Sequence, residues 1–184
     1  QSFKKRLKTL LSHLSETDQS HLDICIASFS EWFEIYTDNQ ALISPLGENN
    51  TLNYLSKKEM LFRISNKTPL VDTIRVCIAA LLCQTHLFIS HDGCLAKWAS
   101  VKQWQKLFPH FTFSEQNPIA FQKTLESSGI KHLRILHPPS EKEYAICASK
   151  KIHIIQTPVL CDGEFELLHY LREVSISKTT HRYG

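Results

Sequence analysis

MLFRISNKTPLVDTIRVCIAALLCQTHLFIS, residues 60–90, reads as one complete β–α–β unit. Met60 to Ile64 is a short apolar run of strand length. Thr68-Pro69 then offers an N-cap threonine and a proline at the first helical position, where a missing amide costs nothing. The helix behind it places Leu70, Ile74, Cys77, Ile78, Leu81 and Leu82 at helical spacing, and His86 to Ser90 is the next strand. Strands joined by a helical crossover run parallel and right-handed, so this unit predicts a parallel sheet with helices packed on it.

The rhythm continues downstream. Trp98 to Phe108 has the pattern of an amphipathic helix stopped by Pro109, and Phe111-Thr112-Phe113 follows as a short strand. A helix opens near Asn117-Pro118 and ends at Gly129. His132 to Leu136 and Ile152 to Ile155 are two more strands, separated by a helix through Tyr144, Ile146 and Cys147. The fold class expected is α/β: a Rossmann-like open, mostly parallel sheet of about five strands with helices on both faces.

Upstream, Phe3, Leu7, Leu10, Leu11 and Leu14 form one helical face, with Lys4, Lys5, Arg6 and Lys8 around it as a solvated basic side. Ser15-Glu16-Thr17-Asp18 has capping-box spacing and introduces a second helix with the stripe Leu22, Cys25, Ile26, Phe29, Trp32, Phe33 and Tyr36. These helices should pair. Thr37 to Ser56 loses its period and collects Asp38, Asn39, Pro45, Gly47, Asn49 and Asn50, so it is expected as a connecting loop. The expected boundaries are 1–56 for the helical pair and loop, 57–162 for the α/β domain, and 163–184 for a C-terminal helix plus extended tail.

Composition limits the alternatives. With 184 residues there is room for one domain and an appendage. Hydrophobic residues at 42% and charged residues at 21% suffice for a packed core, and a formal net charge of +3 predicts neither nucleic-acid nor membrane binding. No apolar run reaches the roughly 20 residues that span a bilayer. The chain opens on Gln1-Ser2-Phe3 without a signal-like segment, as expected for a piece of a longer, cytoplasmic polypeptide, with peripheral attachment of the parent to the inner membrane left open. Cys25, Cys77, Cys83, Cys94, Cys147 and Cys161 are irregularly spaced and are expected as reduced, mostly buried thiols.

Candidate chemistry is sparse. A dinucleotide site needs glycines in the first β–α turn so that backbone amides reach a pyrophosphate. Here that turn is Ser65-Asn66-Lys67-Thr68-Pro69, and the five glycines (Gly47, Gly93, Gly129, Gly163, Gly184) spell neither GxGxxG nor a P-loop. His86, His91, Asp92 and Cys94 form the best local metal-like cluster, but without C-x-x-C or H-E-x-x-H. The other histidines are scattered. Cys94 after Gly93 is the least implausible nucleophile, with His91 near it in sequence, yet it has no recognisable base or oxyanion donor. Asp162, Glu164 and Glu166 are read as capping and dipole-complementing acids of a helix that carries Phe165, Leu168 and Leu171 and has Arg172 in its last turn. Beyond it Val174-Ser175-Ile176-Ser177 alternates as a strand with little left in its own domain to pair with, which suits addition to an exposed sheet edge elsewhere.

Two segments carry a family resemblance. Leu42-Ile43-Ser44-Pro45-Leu46-Gly47-Glu48-Asn49-Asn50 resembles the Leu-Pro-Gly-Pro-Thr-Gly-Glu-x-Asn segment downstream of the aldehyde dehydrogenase module in long proline utilization A proteins, departing from it at Ile43, Ser44 and Leu46. Glu166 to Ser177 with His181-Arg182-Tyr183-Gly184 looks like the terminal motif of the same proteins. Those are bifunctional enzymes in which an FAD-dependent proline dehydrogenase passes its product to an NAD-dependent dehydrogenase that makes glutamate. The resemblance implies a non-catalytic domain of the aldehyde dehydrogenase superfamily fold that covers the channelling route and supports the second activity. FAD and NAD would then belong to the parent, with no cofactor, metal or catalytic residue expected in this segment.

The expected partners are the catalytic domains of the same polypeptide, in cis or across a homo-oligomer, with no nucleic acid. The docking residues expected are Leu168, Tyr170, Leu171, Arg172, Val174, Ser175, Ile176, Ser177, His181, Arg182 and Tyr183. The rival expectation is an independent small α/β enzyme or nucleotide-binding module built on Cys94 and His91.

Overall fold

The computed structural model describes residues 10–38, 40–42 and 46–180. Helix α1 spans Glu16–Thr37 and is capped by Ser15, whose side chain accepts from the Asp18 amide. Most of the helix expected before it, including the basic Lys4 to Lys8 face, lies outside the described residues, as do His181, Arg182 and Tyr183 of the tail.

Five parallel strands form the central sheet: β3 (Glu59–Ile64), β4 (His86–His91), β5 (Thr112–Glu115), β6 (His132–Ile135) and β7 (His153–Ile155), in the order β5-β4-β3-β6-β7. The crossovers are α2 (Leu70–Leu82), α3 (Val101–Leu107) after a 3-10 turn at Cys94–Lys97, α4 (Pro118–Ser127) and α5 (Glu141–Lys150). This is the layout expected from the 60–90 unit. Alternation along β3 shows how the two faces are filled: Met60, Phe62 and Ile64 join the core under α1 and α2, while Leu61 joins Phe121, Leu125, Ile146 and Cys147 under α4 and α5.

Local details differ by a residue or two from the expectation. Pro69, not Thr68, is the N-cap of α2, because the Thr68 hydroxyl turns back to accept from the Ser65 amide at 3.1 Å. Helix α3 begins at Val101, after Ser100 forms a capping box with Gln103, and leaves Trp98 outside it.

Two larger corrections concern the ends. The segment Thr37 to Ser56 is not a plain loop: β1 (Gln40–Ala41) and the nine-residue β2 (Glu48–Ser56) lie within it. The tail strand is not an orphan either. After α6 (Gly163–Glu166) and a 3-10 turn at Leu167–His169, β8 (Leu171–Thr179) pairs antiparallel with β2 over its whole length, making a second sheet in the order β1-β2-β8. Leu171 and Arg172 therefore lie on a strand rather than in a helix. The pairing with Asn49, Asn50 and Asn53 gives those residues a ladder that composition alone does not advertise.

A third correction concerns the cysteines. Cys25 and Cys161 form a disulfide that ties α1 to the segment before α6, whereas Cys77, Cys83, Cys94 and Cys147 are free and buried. Gly163 sits at the same contact: a Cβ there would stand 2.6 Å from the Ser28 carbonyl oxygen, and its amide donates to Ser28 Oγ at 2.9 Å. Close approach of two backbones requires the missing side chain. Among the described residues no helix is long and apolar enough to cross a membrane.

Candidate functional site

In open α/β sheets ligands collect beyond the carboxyl ends of the strands, where the strand order reverses. In this chain that place lies between β3 and β6, and Ser65 and His137 meet there with Ser65 Oγ 3.3 Å from His137 Nδ1. The turn leading to α2 is occupied by its own bonds. The Ser65 amide donates to Thr68 Oγ1 (3.1 Å), Asn66 to Asp92 Oδ2 (3.3 Å), Lys67 to Ser65 Oγ (3.3 Å) and Thr68 to the Ser65 carbonyl (2.9 Å). Pro69 has no amide to give. The first turn of α2 also carries the Asp72 carboxylate, which repels an anion. A pyrophosphate at this turn would compete with these bonds for the amides.

Cys94 and His91 lie at the end of β4. Cys94 is 8% exposed, and burial, with the Asp92 carboxylate beside it, pushes its thiol up to about 12. That is the opposite of the setting that makes a thiolate nucleophile. His91 is buried, its Nδ1 accepts from the Gly93 amide at 3.1 Å, and desolvation lowers its pKa, which favours the neutral ring. Asp92 caps the turn by accepting from the Cys94 amide at 3.2 Å. Among the described residues no group of three or more His, Cys, Asp or Glu is placed to hold a metal ion.

Of the most deeply placed charged groups, Arg63 and Arg134 were not singled out by the sequence, and Glu166 was read there as a capping acid. Arg63, on β3, donates to Ser90 Oγ (2.8 Å) and the Gln116 carbonyl (2.9 Å) and lies 4.7 Å from the centre of the Phe121 ring. Arg134, on β6, is fully buried beside an equally buried Glu166: the pair stands at 3.3 Å, and Arg134 Nη1 donates to the Thr157 carbonyl at 2.7 Å. Glu166 also accepts from the Tyr170 hydroxyl (3.1 Å) and the Leu160 amide (3.0 Å). Burial raises the Glu166 pKa despite these partners. Glu166 is thus a core ligand of Arg134 and not a dipole-complementing surface acid, whereas Asp162 does cap α6 by accepting from the Glu164 amide at 2.9 Å. The available signal was an arginine in the middle of the apolar run His132 to Leu136.

This network anchors the root of the tail. Tyr170 is fully buried, its carbonyl accepts from the Lys57 amide at 2.8 Å, and β8 starts at the next residue. On the β2–β8 ribbon, residues directly opposite share a face. Tyr54 lies on one face and packs on Tyr36 of α1, with ring centroids 4.5 Å apart. The other face carries Leu55, Val174 and Ile176, with Leu55 43% and Ile176 51% exposed. Among the described residues β8 is paired on one side only. Of the expected docking residues, Leu168 is exposed, Tyr170 and Leu171 are buried, Val174 is half-buried, and Arg172, Ser175, Ile176 and Ser177 are exposed.

The fold of this chain, a five-stranded parallel sheet with a separate three-stranded sheet, is similar to parts of several solved structures. The chain is similar to proline utilization A (PutA) from Corynebacterium freiburgense at 18% identity with a TM-score of 0.61, covering 92% of this chain and 15% of that one. It is similar also to lactaldehyde dehydrogenase from Escherichia coli (15% identity, TM-score 0.58, 83% of this chain and 35% of that chain). A third likeness is to a putative aldehyde dehydrogenase PutA from Anabaena variabilis (11% identity, TM-score 0.57, 82% and 35%). At these identities the likeness establishes the fold, and the chain spans only a minor part of each of those proteins. No family model matches the sequence, and no curated protein matches it.

Proposed function

We propose that this chain is a non-catalytic domain of a bifunctional proline-catabolic enzyme, which docks on the catalytic domains of its own polypeptide, covers the channelling route and supports oxidation of glutamate semialdehyde. The observation that carries the reading is the β2–β8 ribbon: a nine-residue strand whose second edge is unpaired among the described residues, with an outward apolar row of Leu55, Val174 and Ile176. Such an edge offers backbone hydrogen bonds for affinity and alternate side chains for register. The self-bonded Ser65–Pro69 turn and the protonated Cys94 thiol support a covering role over catalysis in the domain itself. The likeness to the PutA and aldehyde dehydrogenase structures supports the superfamily context.

The test uses the parent enzyme. Deleting Val174 to Gly184, and separately replacing Val174 and Ile176 by Asp, should both lower aldehyde oxidation and uncouple it from proline oxidation. The double substitution keeps the backbone pairing with β2, so it isolates the outward face. Unchanged activity and unchanged coupling in both variants would reject the proposal.

A further inference from the structure

The junction of the two sheets holds a pocket to which the ribbon contributes only Ser56 and Arg172, at its root. Lys57, Lys58, Glu59, Lys131, His132 and Arg172 line a cavity of about 380 Å³. Lys57 and Lys58 connect β2 to β3, Lys131 precedes β6, and Arg172 stands on β8 opposite Leu55. The cavity therefore opens at the amino ends of the central strands, away from the Ser65–His137 crevice.

Its charge is unbalanced. Four cations face one carboxylate, and among the described residues none of the four takes part in an ion pair. Surface lysines usually extend into water; two of these are fixed instead. Lys57 Nζ donates to the His169 carbonyl at 2.6 Å and the Leu168 carbonyl at 3.4 Å, and Lys131 Nζ donates to the Lys150 carbonyl at 3.2 Å. Each ammonium has three donors, so both retain a proton for a ligand. His132 Nδ1 is buried in the wall without a hydrogen-bond partner. The His132 pKa is lowered by burial first and then by Lys57 and His153.

Fixed cations in a concave, partly desolvated site concentrate counter-ions. The volume lies near the lower end of the roughly 300–1,000 Å³ typical of small-molecule sites, too small for a folded partner. We propose that this pocket binds a compact multivalent anion, an oligophosphate or a polycarboxylate, through Lys57, Lys58, Lys131 and Arg172. Because Lys57 and Arg172 belong to the junction from which the ribbon projects, an occupied pocket would stiffen that junction.

The probes are pyrophosphate and citrate, titrated into the full 184-residue chain by calorimetry at constant ionic strength. Saturable one-to-one binding of either is expected, and the stronger of the two identifies phosphate or carboxylate as the preferred chemistry. Lys131→Ala and Arg172→Gln should each weaken binding about fivefold, and exposed Lys58→Gln serves where either variant fails to fold. Lys102→Ala, at the start of α3, should leave affinity unchanged. In NMR spectra the His132 ring signals should move with ligand while those of His21 on α1 stay. The absence of saturable binding by both probes, or equal weakening by Lys102→Ala, would overturn the proposal.

Discussion

Removing one member of the Arg134–Glu166 pair at a time gives two different penalties. In Arg134→Met the Glu166 carboxylate stays buried with the Leu160 amide and the Tyr170 hydroxyl still donating to it. Burial already raises its pKa, so it can take up a proton and cap the loss. In Glu166→Leu the guanidinium has no such escape, since arginine keeps its proton, and the Leu160 amide and Tyr170 hydroxyl lose their acceptor as well. Breaking a buried pair costs about 3–5 kcal/mol. Arg134→Met should fall near the lower end at pH 7 and Glu166→Leu at or above the upper end. In urea unfolding, with a slope of about 2–3 kcal/mol per molar, this lowers the midpoint by about 1–2 M. The double variant should be less destabilised than the sum of the singles, by about 2 kcal/mol, because the second change removes a charge the first left unpaired. Single effects below about 1 kcal/mol, the reverse order, or strict additivity would refute this account of the network.

Three further outcomes follow from the same structure. Gly163→Ala drives a methyl group into the Ser28 carbonyl, so thermal unfolding should show a loss of about 1–3 kcal/mol. The His169 pKa is lowered to about 4, by burial first and then by Arg134, Lys57 and His153. An unfolded histidine titrates near 6.5, so the folded state binds fewer protons between those values; the stability contributed is full above about pH 6.5 and is lost as pH falls towards 4. Discounted for partial exposure it is worth about 1–2 kcal/mol, and His169→Gln should flatten that limb of a stability–pH curve. His91, His132 and His137 are shifted in the same direction and add to the slope. Thiol titration of protein unfolded without reductant should count four free thiols, since Cys25 and Cys161 are paired; six would restore the fully reduced state.

The central sheet was legible in residues 60–155 because each crossover repeats its own punctuation: an apolar run of strand length, a capping residue or proline, then helical spacing. The ribbon was not legible for a physical reason. Strand β2 contains Asn49, Asn50 and Asn53, and its partner β8 lies more than a hundred residues away, so neither local propensity nor a hairpin turn announces the pairing. The same distance hides the Cys25–Cys161 bridge, whose members are 136 residues apart. Leu168 and Leu171 fit a helical stripe, but α6 ends at Glu166, Leu168 falls in the 3-10 turn after it and Leu171 opens β8. At the candidate site, the missing glycines were visible in the sequence. That the amides of residues 65–68 are already consumed required coordinates, as did the burial that keeps Cys94 protonated.

The most direct test of the docking claim is amide hydrogen exchange along Leu171 to Thr179. In an edge strand every second amide faces away from its partner, so in the isolated chain alternate β8 amides should exchange fast while those bonded to β2 exchange slowly. Within the parent enzyme the fast set should become protected, and replacing Val174 and Ile176 by Asp should release it again. The same alternating pattern in the parent as in the isolated chain would contradict the account.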